Sequence, residues 1–172
     1  MTQKFTQQTK ELEEFLELIE EDLENIQRVK KFCQTNNLDV EYIIHGKAET
    51  VEESSQNTGI NPEEIIKTLI FKTRDNYLAV LCPGDTSVNE EKLENQLGNK
   101  VEMANPEEVT ENTGYTIGGI SPFDLDIQTL IDEEILEQDK VKPAAGSRVV
   151  GVKINPKKLK QAIDAEVVDV SR

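Results

Sequence analysis

Lys67 opens the bulky, β-prone run Lys67-Thr68-Leu69-Ile70-Phe71-Lys72, and a lysine in that place has two chemical futures. Period-two alternation puts Lys67, Leu69 and Phe71 on one face and Thr68, Ile70 and Lys72 on the other. The ammonium either snorkels to water from the strand end or is partly desolvated, which lowers its pKa and suits it to chemistry. A second candidate is Tyr115-Thr116-Ile117-Gly118-Gly119-Ile120-Ser121-Pro122-Phe123. Its paired glycines allow positive φ and a close approach of backbone to ligand, so the stretch reads as a substrate cradle or as an ordinary turn. The third candidate is His45, the single histidine.

Other chemistries find little material. No glycine-rich nucleotide cradle of the G-x-G-x-x-G or G-x-x-x-x-G-K-[ST] type occurs, and Ser121 is not in a G-x-S-x-G elbow. One histidine and the absence of C-x-x-C argue against zinc, and no metal or cofactor is expected. The pairs Glu52-Glu53 and Glu107-Glu108 fall where helix first turns begin, so they complement the helix dipole rather than form an acid–base pair. Cys82 ends an apolar run and reads as a small core residue. With Cys33 far from it in sequence, free thiols in a reducing compartment are the simpler reading.

The elements that must position these residues follow from caps and periodicity. Residues 9 to about 35 predict one long helix with an apolar stripe on Leu12, Leu16, Ile19, Leu23 and Ile26, ended by Asn36-Asn37. Val40 to Ile44 reads as a strand, and Thr50-Val51-Glu52-Glu53 as a capping box opening a helix that Thr58-Gly59 closes. Asn61-Pro62 starts a short helical turn before the Lys67 strand, and Arg74-Asp75-Asn76 turns that strand into Tyr77 to Cys82 as a hairpin. Ser87 with Glu90 predicts the cap of the next helix, Asn105-Pro106 that of another, and Asn155-Pro156 that of the last. Strands are expected at Lys100 to Met103, Gln128 to Ile131, Ser147 to Ile154 and Val167 to Val170. This order predicts a mixed, partly antiparallel, curled sheet with helices around it.

The net charge is −15, which at first disfavours a nucleic-acid partner, but the charge is unevenly spread. From Lys140 onward eight basic residues face three acids, whereas eight acids and no base lie between Glu11 and Glu24. The basic end predicts either an RNA footprint on Arg148, Lys157, Lys158 and Lys160, with salt-sensitive affinity, or a solvated helix face. Met1-Thr2-Gln3-Lys4 leads into a polar helix, and no apolar run of membrane-spanning length follows. A cytoplasmic location without membrane or DNA partners is therefore expected.

Four motifs stand in a fixed order: His45-x-x-Ala48-x-Thr50, Ile66-Lys67-Thr68-Leu69, Pro83-Gly84-Asp85, and Thr113-Gly114-Tyr115-x-x-Gly118-Gly119-Ile120-Ser121-Pro122. In them the chain, from about Leu38 to Val170, resembles the YbaK family, also called the prolyl-tRNA-synthetase-associated domain, whose members hydrolyse misacylated tRNA. The resemblance implies an α+β fold with a curled, mixed, largely antiparallel and barrel-like sheet, spanning residues 36–172 after an added acidic helix at 1–35. It implies a trans-acting aminoacyl-tRNA deacylase for translation quality control, clearing Cys or Ala from tRNA(Pro), or else a non-catalytic module that binds tRNA or a synthetase. Lys67 is implied as catalytic. Thr68, Gly118, Gly119, Ile120, Ser121, Pro122 and His45 are implied as substrate-binding, with a structural role as the alternative reading of His45, and with water or a substrate group as nucleophile. The N-terminal helix is a candidate for recruiting a synthetase. One departure stands out: the family often has Gly-Leu-Asp where this chain has Val149-Val150-Gly151, and Gly151 supplies no carboxylate.

Overall fold

The fold was read from a computed structural model, which describes residues 2–48 and 50–172, with side chains from residue 6 onward apart from Glu49. The expectation placed on Met1-Thr2-Gln3-Lys4 falls outside the described side chains.

Short-range hydrogen bonds set the element boundaries. Helix α1 spans Thr2–Thr35 and stops where Asn37 turns left-handed at φ 52°. Strand β1 (Glu41–Ile44) follows, then α2 (Val51–Thr58), whose cap Thr50 accepts the Glu53 amide at 3.1 Å. A 3-10 turn at Pro62–Glu64 with a full capping box delivers the chain into β2 (Ile66–Lys72), which pairs antiparallel with β3 (Tyr77–Pro83). Helix α3 (Glu90–Leu97), strand β4 (Glu102–Met103) and helix α4 (Pro106–Thr113) follow, the last opened by the capping box of Asn105 and Glu108. The chain ends with β5 (Gln128–Asp132), a 3-10 turn at Glu133–Glu137, β6 (Val150–Lys153), α5 (Pro156–Ala162) and β7 (Glu166–Val168). Each side-chain cap is worth about 1 kcal/mol against alanine.

The predicted cap at Ser87 is corrected to Asn89, whose side chain accepts the Lys92 amide at 3.2 Å. Tertiary pairing causes the delay: Val88 bridges Ser171, and the Asn89 amide donates to Val170 O at 2.7 Å. Those bonds keep the segment extended until Asn89. The predicted strand from Ser147 likewise begins only at Val150, because Ser147 folds into a turn in which its hydroxyl accepts the Val149 amide at 3.2 Å.

The main sheet has the order β4-β2-β3-β5-β7. Its β4, β2 and β3 pair antiparallel, whereas β5 joins β3, and β7 joins β5, in parallel. A second, two-stranded antiparallel sheet pairs β1 with β6. The mixed α+β class agrees with the sequence reading, but no closed barrel forms among the described residues. Strand β4 is two residues long, and the Asn105 cap starts a helix directly behind it, so the sheet has no long edge with which to close.

Helix α1 does pack on the domain, but not through the whole predicted stripe. Val29 and Cys33 are fully buried, and Phe15, Leu18, Ile19 and Ile26 pack against the same core cluster. Leu12, Leu16 and Leu23 stay 56%, 54% and 46% exposed. Polar anchors choose the face. Asn25 donates to Gly114 O at 3.1 Å, and Arg28 donates to Thr113 O at 2.6 Å, pairs with Asp124 at 2.9 Å, and lies 4.2 Å over the Tyr115 ring.

Candidate functional site

Strand β2 and the loop after α4 face each other across a cavity of about 410 Å³. Ile66, Thr68 and Ile70 lie in its wall on one side. Gly118 and Ile120 line it from the loop, and Lys142, Ala144, Ser147, Arg148 and Val150 line it from the segment leading into β6.

The loop is braced at both ends. The Tyr115 hydroxyl donates to Phe123 O at 2.7 Å, Tyr115 itself is fully buried, and Arg28 fastens the loop's flanks to α1. Gly118 takes φ 92°, and a Cβ there would press on the Arg148 side chain at 3.1 Å. A Cβ on Gly119 would meet the backbone of Ser147 and Gly146 at 3.0–3.1 Å, so Gly119 lets two backbones touch. Ser121 and Pro122 are buried outside the cavity wall, the Ser121 hydroxyl accepting the Phe123 amide at 3.3 Å.

Lys67 is half-buried and lines the cavity, but its ammonium donates to Thr86 O in the turn after β3. In the hairpin Lys67 stands opposite Cys82. To act on a ligand in the cavity the amine must release the Thr86 carbonyl or work from beside it. Thr68 is only 6% exposed, and its hydroxyl has no hydrogen-bond partner. An unsatisfied buried hydroxyl costs about 1–3 kcal/mol, which a bonded ligand would recover. Cys82 is buried, and its thiol is pushed up to about 11, so it stays protonated and is a poor nucleophile.

A group outside the sequence-derived set completes the site. Lys142 is 5% exposed; its Nζ lies 2.9 Å from Ser54 Oγ and 3.2 Å from His45 Nε2. His45 Nδ1 sits 2.7 Å from Gly46 O, which can only accept, so Nδ1 carries the proton and Nε2 receives the lysine's hydrogen. Burial, then the neighbouring Lys142 charge, lower the imidazole pKa and keep it neutral. Gly151 explains how the lysine enters. A Cβ there would overlap Lys142 Cε and lie 3.1 Å from its Nζ. The position that lacks the family's acid therefore gives its space to a lysine stem. In the sequence Lys142 counts only as part of the basic C-terminal balance, and no local pattern marks it, since its partners stand 88 and 97 residues away.

Of the four residues proposed for tRNA, one lines the cavity and three do not. Arg148 lies at the cavity beside Gly118, whereas Lys157 and Lys158 are exposed and Lys160 half-exposed on α5, away from the cavity wall.

Burial holds the Lys142 amine down to about 8, against 10.5 for an ordinary lysine. Between those values the unfolded chain binds more protons than the folded one, so stability should rise with pH there. The penalty of burying the charge is fully present below about pH 8 and is relieved as the amine deprotonates. Melting curves of the wild type and Lys142→Met should therefore diverge in the wild type's favour across this window. A constant difference would show that the amine titrates as if exposed.

Comparisons with known proteins agree with this architecture. The sequence profile of the aminoacyl-tRNA editing domain family matches residues 45–167. The uncharacterized protein YwhH of Bacillus subtilis (strain 168) is 32% identical over 127 residues, covering 72% of this chain and 81% of that protein. A proline–tRNA ligase of Thermotoga sp. (strain RQ2) is 37% identical over 87 residues, which is 50% of this chain but only 15% of the ligase. The crystal structure of a proposed trans-editing enzyme for prolyl tRNA synthetase superposes with a TM-score of 0.78 at 27% identity, covering 86% of this chain and 97% of that one.

Proposed function

The chain belongs to the aminoacyl-tRNA editing domain family, and from that premise we propose that it is a trans-acting aminoacyl-tRNA deacylase. It would hydrolyse the ester between a wrong amino acid and the tRNA 3′ end, with Cys- and Ala-tRNA(Pro) the first substrates to test. The observation that carries this reading is the unpartnered, buried hydroxyl of Thr68 in a cavity bounded by the Gly118–Ile120 loop and Lys67. A preformed polar contact in a largely apolar groove is what orients an ester. Water adds to the ester carbonyl, a tetrahedral oxyanion forms, and collapse releases the amino acid and the ribose hydroxyl. Lys67 stabilises the charge of that intermediate or positions the ester. The protonated Cys82 thiol and the buried Ser121 favour water, or a hydroxyl of the substrate, as nucleophile.

Lys157, Lys158 and Lys160 are proposed to hold the tRNA body, with affinity that falls steeply as salt rises. The exposed Leu12, Leu16 and Leu23 on an acidic helix are the proposed face for a synthetase. The decisive experiment incubates the protein with tRNAs charged with cysteine, alanine, serine and proline. Release of one of them, with proline retained on its tRNA, is the expected result. Retention of all four by folded protein that still binds tRNA would instead favour the non-catalytic binding module.

A further inference from the structure

The cavity is electrostatically unlike the rest of the molecule. In a chain of net charge −15, its wall holds Lys67, Lys142 and Arg148 together with a neutral His45, and no carboxylate among the described residues. Lys67 is engaged by the Thr86 carbonyl, and Arg148 lies near the Asp22 charge of α1. Among the described residues Lys142 is the buried cation with no acidic partner, its bonds going to the neutral His45 and Ser54. An ammonium has three donors, so with two engaged one N–H is left for a group in the cavity that Lys142 lines. Such a group demands an acceptor.

The strand geometry locates that demand. Ile66 donates its amide to Lys142 O at 3.0 Å, and Ile70 O accepts the Ala104 amide at 2.9 Å. Four residues of strand separate these points by about 13 Å, with Thr68 midway on the same face. The Ile70 end of the cavity is apolar, lined by Met103, Ala104 and Val109. The Lys142 end is polar and capped by His45 and Ser54. Two ends of opposite chemistry lie one to each side of the unpaired Thr68 hydroxyl.

We propose that Lys142, held by His45 and Ser54 and admitted by the bare backbone of Gly151, forms a subsite that takes an oxygen acceptor at the end of the substrate's amino-acid side chain. This rests on the deacylase reading and names the substrate class within it: a hydroxyl or carboxylate side chain is preferred to an alkyl one. The α-ammonium of the amino acid is repelled from this end. A methyl side chain leaves the lysine's donor unmatched, the circumstance in which buried polar sites reject an isostere most strongly.

The test uses non-hydrolysable amides of 3′-amino-3′-deoxyadenosine carrying alanine, serine or aspartate, titrated calorimetrically into the full chain. The wild type should bind the seryl or aspartyl amide about 10-fold or more tightly than the alanyl amide. The ratio should fall to about one in Lys142→Met, in line with loss of that single charged donor, while alanyl affinity is retained. Tighter aspartyl binding that fades above about pH 8, where the Lys142 amine loses its proton, identifies a carboxylate; tighter seryl binding identifies a hydroxyl. Should Lys142→Met not fold, Ser54→Ala takes its place and should also reduce the ratio. Equal affinities in the wild type, or a preference that survives both substitutions, would overturn the subsite while leaving the deacylase reading intact. Failure of all three amides to bind would overturn the subsite, while the deacylase reading stands or falls separately on release from the charged tRNAs.

Discussion

Lys67→Ala is expected to slow deacylation by about 10²–10³-fold, the usual cost of removing one preorganised charge-stabilising donor. The fold should survive. Lys67 sits at the start of β2 and is half-exposed, so the substitution removes one hydrogen bond, to Thr86 O, rather than a core contact. That loss is worth about 1 kcal/mol of stability, too little to unfold a domain of ordinary stability. Single-turnover release of the amino acid from mischarged tRNA, read beside a melting curve, separates the two effects. Lys67→Arg is informative because it keeps the charge but changes the donor geometry. Unchanged turnover in the alanine variant would remove Lys67 from the mechanism and leave its bond to Thr86 as its whole role.

Gly151→Ala is expected to destabilise the protein by about 1–3 kcal/mol, through overpacking rather than backbone strain. Gly151 pairs with Ile43 across β1 and β6, and the added methyl would overlap the Lys142 stem, which its bonds to His45 and Ser54 hold in place. For a domain of this size each kcal/mol lowers Tm by about 2–4 °C. Lys142→Ala in the same chain should restore much of the loss, because the two side chains compete for one volume and their effects cannot add. Strict additivity in that double-mutant cycle would mean that Lys142 does not lie across Gly151. The Lys142 subsite would then lose its geometric basis.

The proposed docking face and the cavity would place different demands on α1. Its first half presents Leu12 and Leu16 to solvent, while Asn25 and Arg28 of its second half brace the flanks of the glycine loop. Asp22 adds a link to the opposite wall through Ser147 and Arg148. Removing residues 1–35 therefore disturbs the cavity as well as any docking face. Substituting Leu12, Leu16 and Leu23 by polar residues is the cleaner way to probe recruitment.

Much of this molecule is written locally. Thr50, Asn105 and Asn155 cap helices through bonds that span two or three residues, and the Lys67 hairpin needs only alternation and a turn, so single-sequence reasoning reaches them. The order and spacing of the His45, Lys67 and Gly118-Gly119 motifs likewise announced the editing family. What the sequence could not determine are contacts between distant segments. The pairing of Val88 with Ser171 moved a helix cap, and the two-residue β4 left the sheet open. Polar anchors to the glycine-loop flanks selected which of two overlapping apolar stripes on α1 is buried. Above all, the state of Lys142 was decided by tertiary structure. A lysine's charge is welcome in water and costly in a core, and only the meeting of β1, α2 and β6 around it placed this one beside His45, Ser54 and Gly151.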